Sequence, residues 1–419
     1  MSTHNSETVL PAPDLWRNRP FLHYFASRCL SEFAYQITAV AVGWQIYALT
    51  HSAFDLGLAG LIQFLPSALL MFPAGHAADR YPRNRIVQIC STLEALAAAY
   101  LVCSSYSGHA TVGTIYAALA ILGIASAFDS PASAALLPAV TAEKQLQQGT
   151  ALSTGAWQFA AITGPAVGGL LYSISPTAPY LAMFVLSASS AILIGTMKMR
   201  ILERSKEPPT FATLFAGVKF VRSNPAILGT ISLDLFAVLL GGATALLPIY
   251  ASDILHTGAW GLGLLRAVPS LGALLMTAYL AHHAITSRAG IKMFLAVIVF
   301  GLATVLFGIS RVLWISIIAL AVMGAADTVS VVVRSSLVQL ATPDAMRGRV
   351  SAVNYLFINA SNQLGAFESG ATAALLGVVP AVVLGGVGTV VVALLWMKLF
   401  PSLRHVERLD GAVRSVPNE

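Results

Sequence analysis

Long apolar runs constrain the fold of this chain more than any other feature of its sequence. A helix needs roughly 20 apolar residues to cross a hydrocarbon layer about 30 Å thick, and such runs follow one another almost end to end. Only 10% of the 419 residues are charged, far below the share of about 25% in soluble domains. We therefore predict an all-α integral membrane protein with twelve transmembrane helices. The approximate spans are 21–49, 54–75, 86–105, 110–137, 147–174, 178–198, 225–251, 259–281, 290–309, 312–340, 349–378 and 380–399.

Lysines and arginines lie mainly on one side of these spans, and the net charge is +6. On the other side, the connections hold a single basic residue, Arg311. Since cytoplasmic connections of membrane proteins are enriched in Lys and Arg, we predict that both termini face the cytoplasm of a bacterial inner membrane. The N-terminal residues lack the apolar core of a cleavable signal and are predicted to form a retained tail. The basic excess reflects topology and does not indicate nucleic-acid binding.

Catalytic motifs are missing from the sequence. It contains no HExxH, no GxSxG and no phosphate-binding GxxxxGK(S/T) loop, so we predict neither an enzyme nor a nucleotide-driven pump. Cys29, Cys90 and Cys103 lie inside predicted helices without paired spacing, which fits apolar packing better than a disulfide or a metal site. His282 and His283 have no further ligand suitably spaced beside them, so a loop role is favoured over a metal site. No cofactor is predicted.

The two halves of the chain share one plan. Residues 45–70 align without a gap with residues 248–273, and each segment contains an Ile-Tyr-Ala and a Pro-Ser sequence at the matching place. A charged, proline-containing stretch separates the two sets of six spans. The predicted organisation is a cytoplasmic tail at 1–20, an N-terminal six-helix bundle at 21–202, a cytoplasmic linker at 203–224, a C-terminal six-helix bundle at 225–400 and a cytoplasmic tail at 401–419.

The loop GHAADRYPRNR at 75–85 resembles the signature loop of the major facilitator superfamily, although Pro82 stands where the family usually has Gly. Four further motifs are similar to the drug and siderophore exporter branch of that superfamily. They are THSAFDLGL (50–58), SPASAALLPAVT (130–141), GPAVGGLL (164–171) and QLATPDAMRGRVSA (339–352). The resemblance covers nearly the whole chain. It implies two pseudo-symmetric six-helix bundles with a substrate site near the membrane midplane between them.

The charges of the 75–85 loop have two interpretations. The resemblance implies a cytoplasmic gate, in which Asp79 reaches the start of span eleven and Arg83 pairs with Asp129 at the end of span four. Such a gate would stabilise the state that is open to the outside. The alternative is that these charges only anchor the topology. The gate residues are Gly75, Asp79, Arg80, Arg83, Asp129 and Arg347. The matching segment of the second half, at 281–290, carries no Asp-Arg pair.

Ionisable residues inside the spans are costly to bury and are therefore functional candidates. Without a nucleotide-binding loop, transport would draw on an ion gradient. A carboxylate in a partly desolvated cavity is suited to bind and release protons. Glu32 is the leading candidate for proton coupling, and Asp234 and Asp327 are the others. The alternative for Glu32 is a buried ion pair with Arg28, one helical turn away.

Polar and aromatic side chains in several spans predict a roomy amphipathic substrate cavity. Arg266 and Glu368, roughly 10 and 15 Å from the external ends of their helices, would either pair as a structural bridge or bind an anionic group. The amides of span eleven would either line the cavity or form interhelical hydrogen bonds. The cavity candidates are Arg28, Phe33, Tyr35, Gln36, Trp44, Trp157, Arg266, Asn354, Asn359, Gln363 and Glu368.

We therefore predict a secondary active transporter that exports a hydrophobic or amphipathic small molecule, a drug or a siderophore, by proton antiport with alternating access. Its predicted partners are the small-molecule substrate, protons as the coupling ion and the lipid bilayer, and the chain is predicted to be a monomer. The alternative is an importer or a lipid-type facilitator, because a fold does not fix a function.

Overall fold

The computed structural model describes residues 15–197, 218–285, 287–404 and 406, and the long segments among them are all helical. We number these helices α1 to α12 in chain order. Their bounds are Arg19–Thr50, Ala53–Arg80, Arg83–Tyr106, Val112–Val140, Leu146–Ile174, Ala178–Gly195, Pro225–Ile254, Gly258–His282, Ala289–Ile309, Leu313–Ala341, Asp344–Leu376 and Val378–Leu399.

The predicted all-α membrane fold is confirmed. Within the described ranges, nine helices are long and apolar enough to cross a membrane. The other three long helices are α1, α5 and α11, which are the helices with the most polar side chains in their interiors. Twelve spans therefore remain a prediction. Nine of the twelve helices meet the length and hydropathy that a membrane span requires.

Short polar signals begin several of these helices. The Asn18 side chain accepts a hydrogen bond from the Phe21 amide at 3.4 Å and caps α1. Ser52 caps α2 in the same way, with its Oγ 3.2 Å from the Asp55 amide. Thr111 and Thr114 form a reciprocal capping box at the start of α4. Each cap satisfies amide groups that the first helical turn leaves without a partner.

Helix α7 is interrupted in its second half. Its regular part ends at Leu240, and after Gly241 and Gly242 the chain continues through a 3-10 turn and a π-helical turn to Ile254. A Cβ atom at Gly242 would lie 2.6 Å from the Gly365 carbonyl oxygen of α11. The interruption thus occurs where α7 and α11 are in backbone contact, which only a residue without a side chain permits.

The bundle has two chemically different ends. We call the end at which α1 begins and α12 ends the basic end, because the basic connections lie there, and the other end the opposite end. We call α1–α6 the N-half and α7–α12 the C-half. At the opposite end, one buried apolar cluster contains residues of both halves, including Ile46, Tyr180, Leu246 and Phe307.

At the basic end, the buried apolar residues form separate clusters. Phe21 and Leu136 belong to a cluster made of N-half residues alone. Phe294 and Val350 belong to two further clusters made of C-half residues alone. Among the described residues, buried apolar packing therefore joins the halves at the opposite end, and no such cluster joins them at the basic end.

Glycines bring the two halves into backbone contact along two seams at the opposite end. In the α2–α11 seam, a Cβ at Gly370 would lie 2.7 Å from the Gly57 Cα atom. In the α5–α8 seam, a Cβ at Gly169 would lie 2.5 Å from the Ala259 carbonyl oxygen, and one at Gly263 would lie 2.4 Å from a carbonyl oxygen of α5. Such contacts are typical of small residues between membrane helices.

Some predicted boundaries fall outside the described residues. The predicted tail at 1–20 is described from Leu15 onward, and most of the predicted linker at 203–224 lies in the undescribed range 198–217. The described part of the predicted C-terminal tail is 401–404 and Val406. The domain boundaries therefore stay predictions.

A valine at Gly169 should keep the opposite end from closing, because its side chain would meet the α8 backbone within 3 Å. We expect Gly169→Val to lengthen the mean distance between spin labels at Ser107 and Arg311, two exposed residues of the opposite end in different halves. Pulsed electron–electron double resonance on the purified, spin-labelled protein measures this distance.

Gly155→Val is the matched control, since Gly155 lies on the same helix and its Cβ would have no neighbour within 4 Å. We expect it to leave the distance unchanged. Equal distances in the wild type and in Gly169→Val would contradict the assignment of the α5–α8 seam as a closed contact between the halves.

Candidate functional site

The N-half holds a cluster of charged side chains around Arg28 of α1. Its Nη2 atom lies 2.6 Å from Glu32 Oε1, one turn further along the same helix, and its Nη1 atom lies 3.4 Å from Asp129 Oδ2 of α4. Ser133 donates a second hydrogen bond to Asp129 at 3.1 Å. One guanidinium thus contacts two carboxylates from different helices.

A set of serine hydroxyls fixes α1 next to this cluster. The Ser190 Oγ atom of α6 lies 2.7 Å from Ser27, 3.1 Å from Ser31 and 3.2 Å from Ser91 of α3. Ser27 and Ser31 flank Arg28 in the sequence of α1. Because these hydroxyls bind α3 and α6, the next residues on the helix face α4, where Asp129 lies.

The C-half holds a second charged cluster between α7 and α10. Asp234 of α7 and Arg334 of α10 form a buried ion pair. Asp327, two turns before Arg334 on the same helix, lies close enough to interact electrostatically with both. All three line a cavity of about 210 Å³, which also contacts Asn354 and Asn362 of α11.

The two clusters lie on matching helices of the two repeats, α1 and α4 in the N-half and α7 and α10 in the C-half. The arginine and the carboxylate, however, are on opposite members of each helix pair. In the N-half the arginine is on α1 and a carboxylate on α4, whereas in the C-half the carboxylate is on α7 and the arginine on α10. Each cluster contains one arginine and several carboxylates that interact with it: Glu32, Asp129 and Glu94 of α3 in the N-half, and Asp234 and Asp327 in the C-half.

Tyr47, Arg266 and Gln158 each make a polar contact that crosses between the halves. Tyr47 of α1 donates to the Asp253 carboxylate in the π-helical turn of α7. Arg266 of α8 donates through Nη1 to the Ala39 carbonyl oxygen of α1. The third donor is the Gln158 side chain of α5, whose Nε2 lies 2.8 Å from the Ser270 carbonyl oxygen. All three lie between mid-depth and the opposite end, as do the glycine seams.

The structure corrects one alternative drawn from the sequence. Arg266 and Glu368 do not form a bridge, because Arg266 binds the Ala39 carbonyl and Glu368 accepts a hydrogen bond from Thr372 at 2.8 Å. Thr372 is on the same helix as Glu368, one turn later. The guanidinium therefore remains without a carboxylate among the described residues.

A second correction concerns the gate. Arg83 Nη1 donates to the Ala135 carbonyl oxygen at 3.0 Å, and Asp129 pairs with Arg28. The predicted Arg83–Asp129 pair does not form, because Asp129 lies about 9 Å deeper along α4 than Ala135. Arg83, at the first position of α3, reaches only the shallower carbonyl.

The other gate residues stay predictions. Gly75 and Asp79 lie in the last turns of α2, and Arg80 ends that helix. Within the described ranges, the Asp79 carboxylate makes no hydrogen bond or ion pair. Arg347 lies in the first turn of α11. Among the described residues, no buried apolar cluster joins the halves at this end.

The predicted cavity residues do not form one wall. Phe33 contacts the Phe159 ring of α5 edge-on, with ring centroids 5.8 Å apart. Trp157 and Tyr35 are about half exposed, at 48% and 50%. Trp44 instead packs against the apolar cluster of the opposite end, so its role there is structural.

The predicted amide residues contact different neighbours. Gln36 lies against α5, since a Cβ at Gly164 would come within 2.6 Å of it. Gln363 faces Gly60 of α2 across the α2–α11 seam. Asn354 lines the cavity of the C-half, and Asn359 occupies the same helix, one turn before Gln363.

Several contacts escaped the sequence analysis. The Tyr47–Asp253 and Gln158–Ser270 contacts and the serine set were not predicted. Asp129 was placed in the gate and Arg334 was not assigned to a site, although a search for opposite charges on matching helices of the two repeats would have found both ion pairs. The Gln158–Ser270 contact ends on a backbone carbonyl and the serine set consists of hydroxyls, and neither kind of group carries a sequence signal of its own.

Comparison with known proteins identifies the family to which this chain is similar. A family model described as transmembrane secretion effector matches residues 13–417. Enterobactin exporter EntS of Citrobacter koseri is 26% identical over 410 residues, covering 96% of this chain and 97% of that protein. The protein of the same name from Escherichia coli is 25% identical over 418 residues, covering 98% of this chain and 99% of that protein.

The solved structures agree on the fold. A bacterial homologue of the human lysosomal transporter Spinster superposes with a TM-score of 0.72 at 13% identity, covering 97% of this chain and 100% of that one. The predictions of a membrane transporter and of a protein that is not an enzyme are confirmed. Since the family model matches almost the entire length, the chain belongs to the transmembrane secretion effector family of the major facilitator superfamily.

Proposed function

We propose that the protein exports an amphipathic small molecule from the cytoplasm in exchange for protons. The observation that carries this proposal is the charge composition of the two clusters. Each holds one arginine and more than one carboxylate inside the apolar bundle, three in the N-half and two in the C-half. One arginine neutralises one carboxylate, so each half has a second carboxylate to bind a proton and release it on the other side.

The orientation follows from the basic connections. The basic end carries the gate loop with Arg80 and Arg83, whereas the connections of the opposite end have Arg311 as their single Lys or Arg. By the rule that positive connections stay inside, the basic end faces the cytoplasm. Because the shared apolar cluster lies at the opposite end and the described residues form no such cluster at the basic end, we assign the conformation to the inward-facing state that would load cytoplasmic cargo.

Transport requires a second conformation. The glycine seams and the three cross-half contacts would separate at the opposite end, while the basic end closes around the gate residues. Asp79 at the end of α2 would then meet the first turn of α11, where unpaired amides and the helix dipole favour an anion. Substrate and protons would use the same central space in alternation.

Siderophores are the cargo class that the relatives favour, because two of them are named as enterobactin exporters. Exposed aromatic side chains such as Trp157 and Tyr35 fit a bulky aromatic molecule better than a sugar. Other amphipathic drugs share these features and are the second class to test.

Cells that express the protein should accumulate less labelled enterobactin than cells without it, by several-fold, and a proton uncoupler should abolish the difference. Accumulation is measured in a strain that lacks its own siderophore exporters. Higher accumulation with the protein would indicate import in place of export, and lower accumulation that persists with the uncoupler would exclude proton coupling.

Glu32 and Asp327 share an arginine with another carboxylate, and replacing either of them should uncouple substrate transport from the proton gradient. We expect Glu32→Gln and Asp327→Asn to reduce proton-driven transport in proteoliposomes by about 100-fold, the lower end of the range for side chains that transfer a proton. Folding should be kept, because Arg28 retains Asp129 and Arg334 retains Asp234. Counterflow, which needs no proton gradient, should continue.

Asp55→Asn is the control for these variants, since Asp55 lies in the first turn of α2 at the opposite end, outside both clusters. It should leave the response to the gradient unchanged. Coupling that survives in both cluster variants would show that neither carboxylate carries the proton.

The predicted gate is tested separately, at Asp79 near the end of α2. We expect Asp79→Asn to lower transport several-fold, because the state closed at the basic end loses the anion that would hold α2 to α11. Transport is compared at equal amounts of membrane-inserted protein. A wild-type rate in Asp79→Asn would leave topology as the only role of the loop.

A further inference from the structure

Arg266 is a cation with no carboxylate partner among the described residues. Its guanidinium has five N–H groups, and the hydrogen bond it makes is the one from Nη1 to the Ala39 carbonyl of the other half. The acidic side chain predicted beside it, Glu368, is bound to Thr372. A charge in the membrane interior is costly unless it is paired, so this arginine has unused capacity to bind an anion that the described residues do not supply.

The position of Arg266 makes it accessible to a substrate. It lies eight residues from the start of α8, about 12 Å from the opposite end, and its side chain is only partly buried. Tyr35, which is 50% exposed, is near enough to interact with it electrostatically. The phenol ring and the guanidinium thus lie near each other, so one bound molecule could contact both.

We propose that Arg266 binds a carboxylate or another oxyanion of the transported molecule, and that this binding withdraws its guanidinium from the Ala39 carbonyl. The inference rests on the proposed transport function and adds to it the charge of the substrate. An oxyanion takes two parallel N–H groups of a guanidinium, which a single backbone carbonyl does not. The anion therefore replaces the Ala39 carbonyl oxygen, which is the weaker hydrogen-bond acceptor.

Loading thereby changes the stability of the closed opposite end. Arg266–Ala39 is one of the three polar contacts between the halves. A ligand shifts a conformational equilibrium only by its difference in affinity for the two states. Because the anion binds more donors once the Ala39 contact is released, it binds best to the state in which the opposite end opens. The empty protein keeps the contact and stays closed there.

The test uses two probes of one shape, anthracene-9-carboxylate and its neutral primary amide, with the purified full chain in lipid nanodiscs. Fluorescence titration measures both affinities. We expect Arg266→Gln to weaken carboxylate binding roughly 10- to 100-fold, the value of a hydrogen-bonded charge, with amide binding unchanged. Arg266→Lys should fall between the two.

Gln158→Leu is the matched control, since it removes another contact between the halves without touching a charge. It should keep the wild-type preference for the carboxylate over the amide. Thermal unfolding of each variant confirms that the protein is folded. The same carboxylate affinity in the wild type and in Arg266→Gln would overturn the proposed anion site.

The conformational step has a separate readout. With spin labels at Ser107 and Arg311, the carboxylate should lengthen the distance across the opposite end in the wild type and leave it unchanged in Arg266→Gln. The amide should lengthen it in neither. Carboxylate binding without a change of distance in the wild type would overturn the release of the Ala39 contact.

Failure of this inference is distinguishable from failure of the proposed function. Export of enterobactin that is equal in the wild type and in Arg266→Gln, with no preference for the carboxylate probe, overturns the role of Arg266 and leaves the exporter intact. Loss of export in the wild type itself, with the carboxylate preference kept, removes the proposed function and retains the anion site.

Discussion

Neutralisation of charge inside an apolar bundle is the constraint on which the rest of this structure depends. Each arginine or carboxylate placed at the centre of a membrane helix costs about 3 kcal/mol, and the chain places several of them there. It meets this cost by pairing charges between helices of one half, α1 with α4 and α7 with α10. Each half is thereby held together internally, and neither ion pair ties one half to the other.

Contacts between the halves are of a different and weaker kind. They consist of glycine backbones in van der Waals contact, two of the three polar contacts end on carbonyl oxygens, and one apolar cluster spans both halves. None of them buries a charge pair that would have to be broken in a low-dielectric medium. Strong ion pairs thus lie within each half and weaker contacts lie between the halves. This arrangement is consistent with two rigid halves that separate at a low cost in free energy, as rigid-body transport requires.

The fold was largely predictable from the sequence, because a membrane leaves helices as the main way to satisfy backbone groups. Apolar runs and short polar connections were enough to place the helices within a few residues. The interruption of α7 after Leu240 was not predicted, although its Gly-Gly pair was visible. The site was predicted less well: charged residues inside the spans were identified, but the pairing of Arg28 with Asp129 depends on how α1 is rotated against α4. That rotation is fixed by serine contacts with no charge signature.

The repeat also treats its first helices unequally. Helix α1 is continuous over 32 residues, so that Glu32, Ala39 and Tyr47 are carried on one stiff rod. Its counterpart α7 has a joint after Leu240, which lies between Asp234 and Asp253. We therefore expect a displacement of the charged cluster in the N-half to be transmitted along α1 to the opposite end. The interruption of α7 separates Asp234 from Asp253, so we expect the C-half cluster to be less strongly coupled than the N-half cluster to the opposite end.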